Sequence, residues 1–495
     1  MIYRSLNSSK AESDVRSVLR GVLEPASQRN VVSLGAVSNI AATAERISLS
    51  LDLFVPGHPR EGEVRAECER RLREAFPKAK EVSVSLLNSG LRQGQQQNPK
   101  TASSLHKVQH VVLVSSCKGG VGKSTVAVNL ATTLAMRGLR VALLDADIYG
   151  PSLPLMTTPV DATVRKVQHK PGFIKPLVTK EGLKILSFGH VNPKAATGAG
   201  GKGAAVMRGP IATRVITQLL AATEWGELDY LVIDMPPGTG DIQITVTQTV
   251  AVSGAVLVTT PHPLSLADSA KGIAMFEDLK IRPLAIVENM SYFECDHGKR
   301  YHPFGPGGRD NLTGVFEKAW SGGADTTAAN IAGSIASLKK APMHTIPLNA
   351  DVSSFDYGAD FCSTPVVVRH PESEVAGIYK ALADDVILEL VRQQLDAQAL
   401  PTINFIESRG GIVLRYFEAS KVSEFIIPPA ELRVRDAKTG KRISTKAAVN
   451  DVKPVQFDFK GNYGVAIQWS DGHYADIFPF DVLREIAEEL ASGKM

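Results

Sequence analysis

Cysteine is scarce: four residues, Cys68, Cys117, Cys295 and Cys362, are scattered through a chain of 495. Thiols this few and dispersed exclude a disulfide scaffold and point to a reducing compartment. No run of about 18 apolar residues occurs, so no membrane span can be read from the sequence. Neither charge sign dominates. Lys plus Arg is 55 against 51 for Asp plus Glu, a formal net charge of +4. With a sequence pI near 8.7, this balance gives no general case for a nucleic-acid partner. Hydrophobic residues at 44% and charged residues at 21% match ordinary globular usage and exclude disordered, collagen-like and coiled-coil chains. The opening MIYRSLNSSKAESD lacks the apolar core of a secretory signal. At about 150 residues per domain, the length suggests roughly three domains.

Three segments follow from the apolar patterning. In 11–89, residues 15–23 and 64–75 read as helices. Ile47–Leu53 and Val82–Leu86 read as strands, giving a small α/β unit. Residues 90–107, polar through Gly90–Ser104, read as a linker. From 108 to 395, short apolar runs at Val111–Ser115, Val141–Asp145, Leu231–Asp234, Ala255–Thr259 and Leu284–Glu288 read as parallel strands buried on both faces. Helices at 124–137 and 265–279 lie between them, the pattern of a doubly wound α/β fold with a mostly parallel sheet. A helix at 374–395 closes this segment, with Ile378, Leu382, Val386, Leu390 and Val391 on one face. Residues 401–495 read as β-rich, with strands at Ile412–Tyr416 and Val465–Trp469. Turns at Gly461-Asn462 and Asp471-Gly472 and a last helix at 481–491 complete that segment. Stretches 198–203 and 321–341 read as loops.

The strongest local signal is Val111-Val-Leu-Val-Ser-Ser-Cys-Lys-Gly-Gly-Val-Gly-Lys-Ser-Thr125. A strand enters a glycine-rich turn and then a helix, the context of a P-loop. Gly119, Gly120, Val121, Gly122, Lys123, Ser124 and Thr125 form the phosphate cradle, where backbone N–H groups and the helix dipole favour an anion. Lys123 is placed to neutralise the β- and γ-phosphates, and the Ser124 hydroxyl to ligate Mg²⁺. Cys117 occupies the first glycine of the usual G-x-x-x-x-G-K-[ST]. Asp147 and Asp234 follow apolar strands, at the carboxyl ends where nucleotide binds. Asp234 suits a water-mediated Mg²⁺ contact and Asp147 the orientation of an attacking water. Taken singly, either also serves as a helix cap.

Lys118-Gly-Gly-Val-Gly-Lys-Ser-Thr125 resembles the deviant Walker A motif of the MinD/Mrp class of P-loop ATPases. Asp145-Ala-Asp-Ile-Tyr-Gly-Pro-Ser152, Trp225–Asp241 and Val287-Glu-Asn-Met-Ser291 are similar to the Mrp/ApbC iron–sulfur carriers. The resemblance implies that Lys118 reaches the phosphates of a partner subunit in an ATP-bound homodimer, and that Asn289 contacts adenine. The flanks agree: 11–89 resembles a small iron–sulfur-assembly domain. Residues 401–495, with Gly461-Asn-Tyr-Gly-Val-Ala-Ile-Gln-Trp-Ser-Asp-Gly472, resemble the γ-butyrobetaine hydroxylase N-terminal domain. This three-part order is similar to the high-chlorophyll-fluorescence, plastid-type branch.

The resemblance also implies a C-x-x-C pair after the N-M-S motif, two pairs bridging one [4Fe–4S] cluster. Here Cys295 falls on the first cysteine and Gly298 on the second. Two Cys295 thiolates from a dimer leave a cluster short of the usual four ligands. His297, His302 or Cys117 would complete the set. The histidines read first as solvated loop residues, and Cys117 equally as a small side chain filling a tight turn. Cys362 and Cys68 read as packed thiols. His58 stands where relatives often carry cysteine, which makes docking the more natural role for the first segment. The cationic stretch His297–Arg309 reads as a solvated loop or as a lure for an acidic partner.

The resulting expectation is an ATPase that uses ATP and Mg²⁺ as a homodimer. It would deliver an iron–sulfur cluster, expected as [4Fe–4S], to apo iron–sulfur proteins, without nucleic-acid or membrane partners. The expected setting is soluble: plastid stroma or another organelle matrix in a eukaryote, otherwise cytoplasm. A MinD/ParA-like positioning ATPase and a small-molecule synthetase or kinase are the alternatives. The acidic C-terminus Ile486–Met495 is unlike a basic membrane anchor and counts against the former.

Overall fold

The computed structural model describes residues 8–43, 45–87, 105–192, 209–238, 240–320, 339–353, 364–398, 401–418, 421–437, 440–442, 452–460, 464–472 and 477–491. The loop at 198–203, most of 321–341, the linker through 104, Cys362 and the turn at Gly461-Asn462 lie outside them. The chain divides into two units. One comprises Met1–Phe54, Arg60–Leu87 and Val391–Met495, the other Val55–Pro59 and Asn88–Leu390.

In the first unit, a helix at Ser8–Leu19 precedes β1 (Val37–Ala42), β2 (Arg46–Leu51) and β3 (Glu81–Leu86). β1 and β2 pair antiparallel, whereas β2 and β3 run parallel across the helix Glu61–Ala75. Two expected boundaries move. The first helix stops at Leu19, not 23, where the bonds shorten to turn spacing: Gly21 N–H donates to the Val18 carbonyl and Val22 N–H to the Leu19 carbonyl at 3.0 Å. The second strand ends at Leu51, not Leu53, because the Asp52 carboxylate accepts the Phe54 N–H at 2.8 Å and turns the chain.

The second unit holds a sheet of eight strands. In chain order these are β4 (Val108–Ser115), β5 (Val141–Asp145), β6 (Leu177–Val178), β7 (Lys184–Ser187), β8 (Leu228–Asp234), β9 (Gly254–Thr259), β10 (Pro283–Glu288) and β13 (Met343–Thr345). Their spatial order is β13-β10-β9-β4-β8-β5-β7-β6. All neighbours pair parallel except β6 with β7. The continuous apolar runs are explained by burial on both faces: every residue of β5, β8 and β9 is buried. Leu113, Leu144, Ile233, Leu257 and Ile286 form one core with Trp225. The chain leaves β4 toward β5 on one side of the sheet and leaves β8 toward β9 on the other, so the crevice beyond the carboxyl ends of β4 and β8 is the switch point where such folds take ligands. Between β10 and β13, the short strands β11 (Phe293–Glu294) and β12 (Arg300–Tyr301) pair as an antiparallel hairpin.

The C-terminal residues form two three-stranded antiparallel sheets: β14 (Thr402–Ile406), β15 (Gly411–Glu418) and β16 (Lys421–Ile427), then β17 (Pro454–Lys460), β18 (Gly464–Trp469) and β19 (Phe478–Pro479). A last helix, Phe480–Ala491, contributes Leu483 and Ile486 to a core with Leu414, Ile467 and Trp469.

Candidate phosphate-binding site

The turn after β4 has the backbone that its glycines permit. Gly120 and Gly122 sit at φ 79° and 83°, a region that side chains with Cβ avoid. At Gly122 space matters too: a Cβ there would lie 2.2 Å from Asn289 Nδ2. The helix Lys123–Met136 starts with no side-chain cap. Its first N–H groups, together with the helix dipole, make the end an anion site. These features fit a bound nucleotide's phosphates.

Lys123 is buried, 6% exposed, and so is Asp234, 3% exposed at the end of β8. The Lys123 ammonium donates to Asp234 Oδ1, and also to Ser124 Oγ at 3.3 Å. Burial raises the Asp234 carboxyl above the usual carboxylate range, against the opposing pull of the Lys123 charge. Ser124 and Asp234, the pair expected around Mg²⁺, are thereby brought to the same ammonium group. Asp145 ends β5 beside them. Burial, and then the charge of Asp234, push its carboxyl up to about 7.

Asp145 escaped the sequence reading, and its contacts show its work. Oδ1 accepts the Asp147 N–H at 3.0 Å. Oδ2 accepts the Ser152 and Leu153 N–H groups at 3.1 and 3.2 Å and the Ser187 hydroxyl at 3.0 Å. It shapes the loop that carries Asp147. The Asp147 carboxylate itself accepts the Gly150 N–H at 3.2 Å. Lys118 contributes its carbonyl to the Ser116 hydroxyl at 3.0 Å.

Asn289 reaches the same loop from the end of β10. Its Nδ2 donates to the Val121 carbonyl at 2.8 Å, and its backbone N–H donates to Thr259 at 2.8 Å. Glu288, also missed in the sequence, is buried. Both its oxygens accept the Gly308 N–H at 2.9 Å, and burial raises its carboxyl. Both residues stand inside the motifs Asp145–Ser152 and Val287–Ser291, but neither motif assigned them a role; Glu288 is matched by Gly308 and Asp145 by Ser187 from distant parts of the chain.

The thiols are less gathered than the phosphate residues. Cys117 packs on the helix Pro263–Asp278, where Gly272 leaves it room: a Cβ there would lie 1.9 Å from its sulfur. Burial pushes this thiol up to about 11, which favours the protonated form and suits the turn-filling reading. Cys68 is buried within Glu61–Ala75, its thiol raised by burial. Cys295 is half-exposed at the β11–β12 turn, where Gly298 N–H donates to its carbonyl at 2.8 Å. Gly298 has φ 73°, so the position of the second expected cysteine favours glycine on backbone grounds. His297 is exposed. His302 Nδ1 lies 3.1 Å from the Ser291 carbonyl. Among the described residues no three His, Cys, Asp or Glu side chains converge as a metal site, and no helix is long and apolar enough to cross a membrane.

Three families match in chain order. The iron-sulfur cluster assembly protein family matches residues 12–86 and the NUBPL iron-transfer P-loop NTPase family residues 107–387. The γ-butyrobetaine hydroxylase-like N-terminal family matches residues 427–484. The chain is 36% identical to the chloroplastic Fe-S cluster assembly factor HCF101 of Arabidopsis thaliana, over 96% of this chain and 83% of that protein. It is 40% identical to an iron-sulfur cluster carrier protein of Synechocystis, over 60% of this chain and 82% of that protein. A carrier of the same name from Escherichia coli is 34% identical over 78% of this chain and 95% of that protein. With its phosphate turn, its parallel sheet and these likenesses, the chain belongs to the NUBPL iron-transfer branch of the ParA P-loop NTPases.

Proposed function

We propose that this protein binds and hydrolyses ATP with Mg²⁺ as a homodimer, and delivers an iron–sulfur cluster, of the [4Fe–4S] type, to apo iron–sulfur proteins. The observation that carries the nucleotide half is the buried Lys123–Asp234 pair at an uncapped helix N-terminus. What supports the cargo is likeness over 96% of the chain to a protein named for cluster assembly.

In this reading Gly119–Thr125 wrap the phosphates, Lys123 neutralises the β- and γ-phosphates, and Lys118 reaches across to the partner's nucleotide. Ser124 ligates Mg²⁺ and Asp234 contacts it through water, which supplies charge neutralisation at the leaving phosphate. Asp147 orients the attacking water and Asn289 meets adenine. Cys295 offers a thiolate to the cargo, with Cys117 as the secondary candidate. Segments 11–89 and 401–495 flank the 108–395 ATPase in sequence, and 11–89 serves in docking. We place the protein in the plastid stroma or another organelle matrix in a eukaryote, and in the cytoplasm otherwise.

Anaerobic reconstitution with ferrous iron and sulfide, read by Mössbauer spectroscopy, tests the cargo. The wild type should show a cubane signature, and Cys295→Ser should lose most of it. A protein that hydrolyses ATP but retains no cluster would return the chain to the positioning-ATPase or kinase readings. Full occupancy in Cys295→Ser would move the ligands elsewhere.

A further inference from the structure

The two prolines after Asp234 leave that loop short of hydrogen-bond donors. Pro236 and Pro237 have no N–H, so within Met235–Gly238 only the two ends can donate. Met235 N–H goes to the Val114 carbonyl and Gly238 N–H to the Ser116 carbonyl, both at 3.0 Å. On the other side, the carbonyls of Pro236 and Gly238 converge on one atom. Gln243 Nε2 donates to each at 2.8 Å. A primary amide nitrogen carries two hydrogens, and both are used here. Gln243 lies in the first turn of the helix Asp241–Thr249 and is 1% exposed.

The contacts run on past the loop. Gly238 is held to Ser116, and the Ser116 hydroxyl holds the Lys118 carbonyl at 3.0 Å. We infer that Gln243 is a positioning residue for ATP hydrolysis, fixing the Asp234–Gly238 loop and, through Gly238 and Ser116, the backbone of Lys118. The inference rests on the ATPase reading above. Few side chains meet the requirement. A leucine or methionine brings no donor, an ionised glutamate turns acceptor against acceptor, and asparagine is one methylene shorter. Gln243 lies outside the Gly119–Thr125 cradle; it acts through backbone that leads into it.

The test compares Gln243→Met and Gln243→Glu with the wild-type full-length protein in steady-state ATP hydrolysis. Near neutral pH both variants should lose about ten-fold or more in kcat, with KM for ATP held within about three-fold. The glutamate variant has a second signature. Its carboxyl becomes a donor when protonated, so its kcat relative to wild type should climb as pH falls from about 8 to about 5.5. Taking the ratio cancels the titration of Asp145 and Asp234, which both proteins share. The methionine variant should show no such climb. A flat ratio for the glutamate variant, or wild-type kcat in the methionine variant, overturns the inference. If the methionine variant does not fold, the pH course of the glutamate variant decides alone. Wild-type protein that binds a fluorescent ADP analogue without turning over ATP would defeat the ATPase reading, an outcome distinct from unaltered variants of an active enzyme.

Discussion

A buried ammonium facing a buried carboxylate is stable only as a pair. Removing one partner from such a site costs about 3–5 kcal/mol, whereas replacing both with neutral groups costs far less. Lys123→Met should therefore abolish nucleotide binding and lower stability by about 3 kcal/mol. The double variant Lys123→Met/Asp234→Asn should recover most of that stability and none of the binding. Denaturant unfolding with a nucleotide titration on each variant checks both halves, and equal stability of the single and double variants would refute the pairing. Asp145 makes a separate claim. Its folded value near 7 lies above the ordinary 3.8, so the folded state holds the proton more tightly. Its contribution is complete below the unfolded value and is lost as pH rises through about 7. Asparagine imitates the protonated acid without titrating. Asp145→Asn should gain stability relative to wild type between about pH 4 and about pH 7, at about 1.4 kcal/mol per pH unit at most, and level off above that. Parallel pH courses for the two proteins would dismiss it.

Among the elements, the turn from β4 into its helix is the least tolerant of change. Gly122→Ala meets both a positive φ and the Asn289 amide. It should cost about 1–3 kcal/mol and weaken ADP binding by about ten-fold or more, measured by fluorescence titration. Retained affinity would mean that the turn relaxes freely. The same scale explains what the sequence made legible. Five strands of the main sheet, β4, β5, β8, β9 and β10, were readable because two-sided burial writes an unbroken apolar run, as in Val141–Asp145, whereas β6, β7 and β13, two, four and three residues long, were too short to leave one. Three antiparallel strands, β14, β16 and β17, went unread because polar residues interrupt them, as in Pro454–Lys460. β1 was hidden for another reason: its register shifts between Ser38 and Ala41, where Asn39 takes φ 49°. Within the site, Lys123, Ser124 and the glycines were legible because their chemistry is local. Asp145, Gln243 and Glu288 were not, since each works through backbone N–H or carbonyl groups that every residue carries, so the side chain's spacing alone marks no chemistry.

For the whole molecule, four exposed apolar side chains bear on assembly. Tyr149, Ile244, Leu264 and Phe293 are 45%, 38%, 62% and 45% exposed. Each stands on a segment that leaves the carboxyl end of a parallel strand, the edge of the sheet that holds the phosphate turn. An ATP-bound homodimer would cover this edge. Sedimentation with a non-hydrolysable ATP analogue should double the mass of the wild type, and Leu264→Glu should oppose that doubling. Unchanged mass in the wild type would rule out a shared site.

One consequence of the Lys123–Asp234 contact remains. In the resting protein the cradle's principal cation is already quenched by its own wall, so a stray phosphate or chloride meets little net attraction. A visitor must offer Asp234 a substitute for the ammonium that it gives up, and a divalent ion arriving with the triphosphate does so. Metal and nucleotide should thus enter as mutual promoters, each tightening the other.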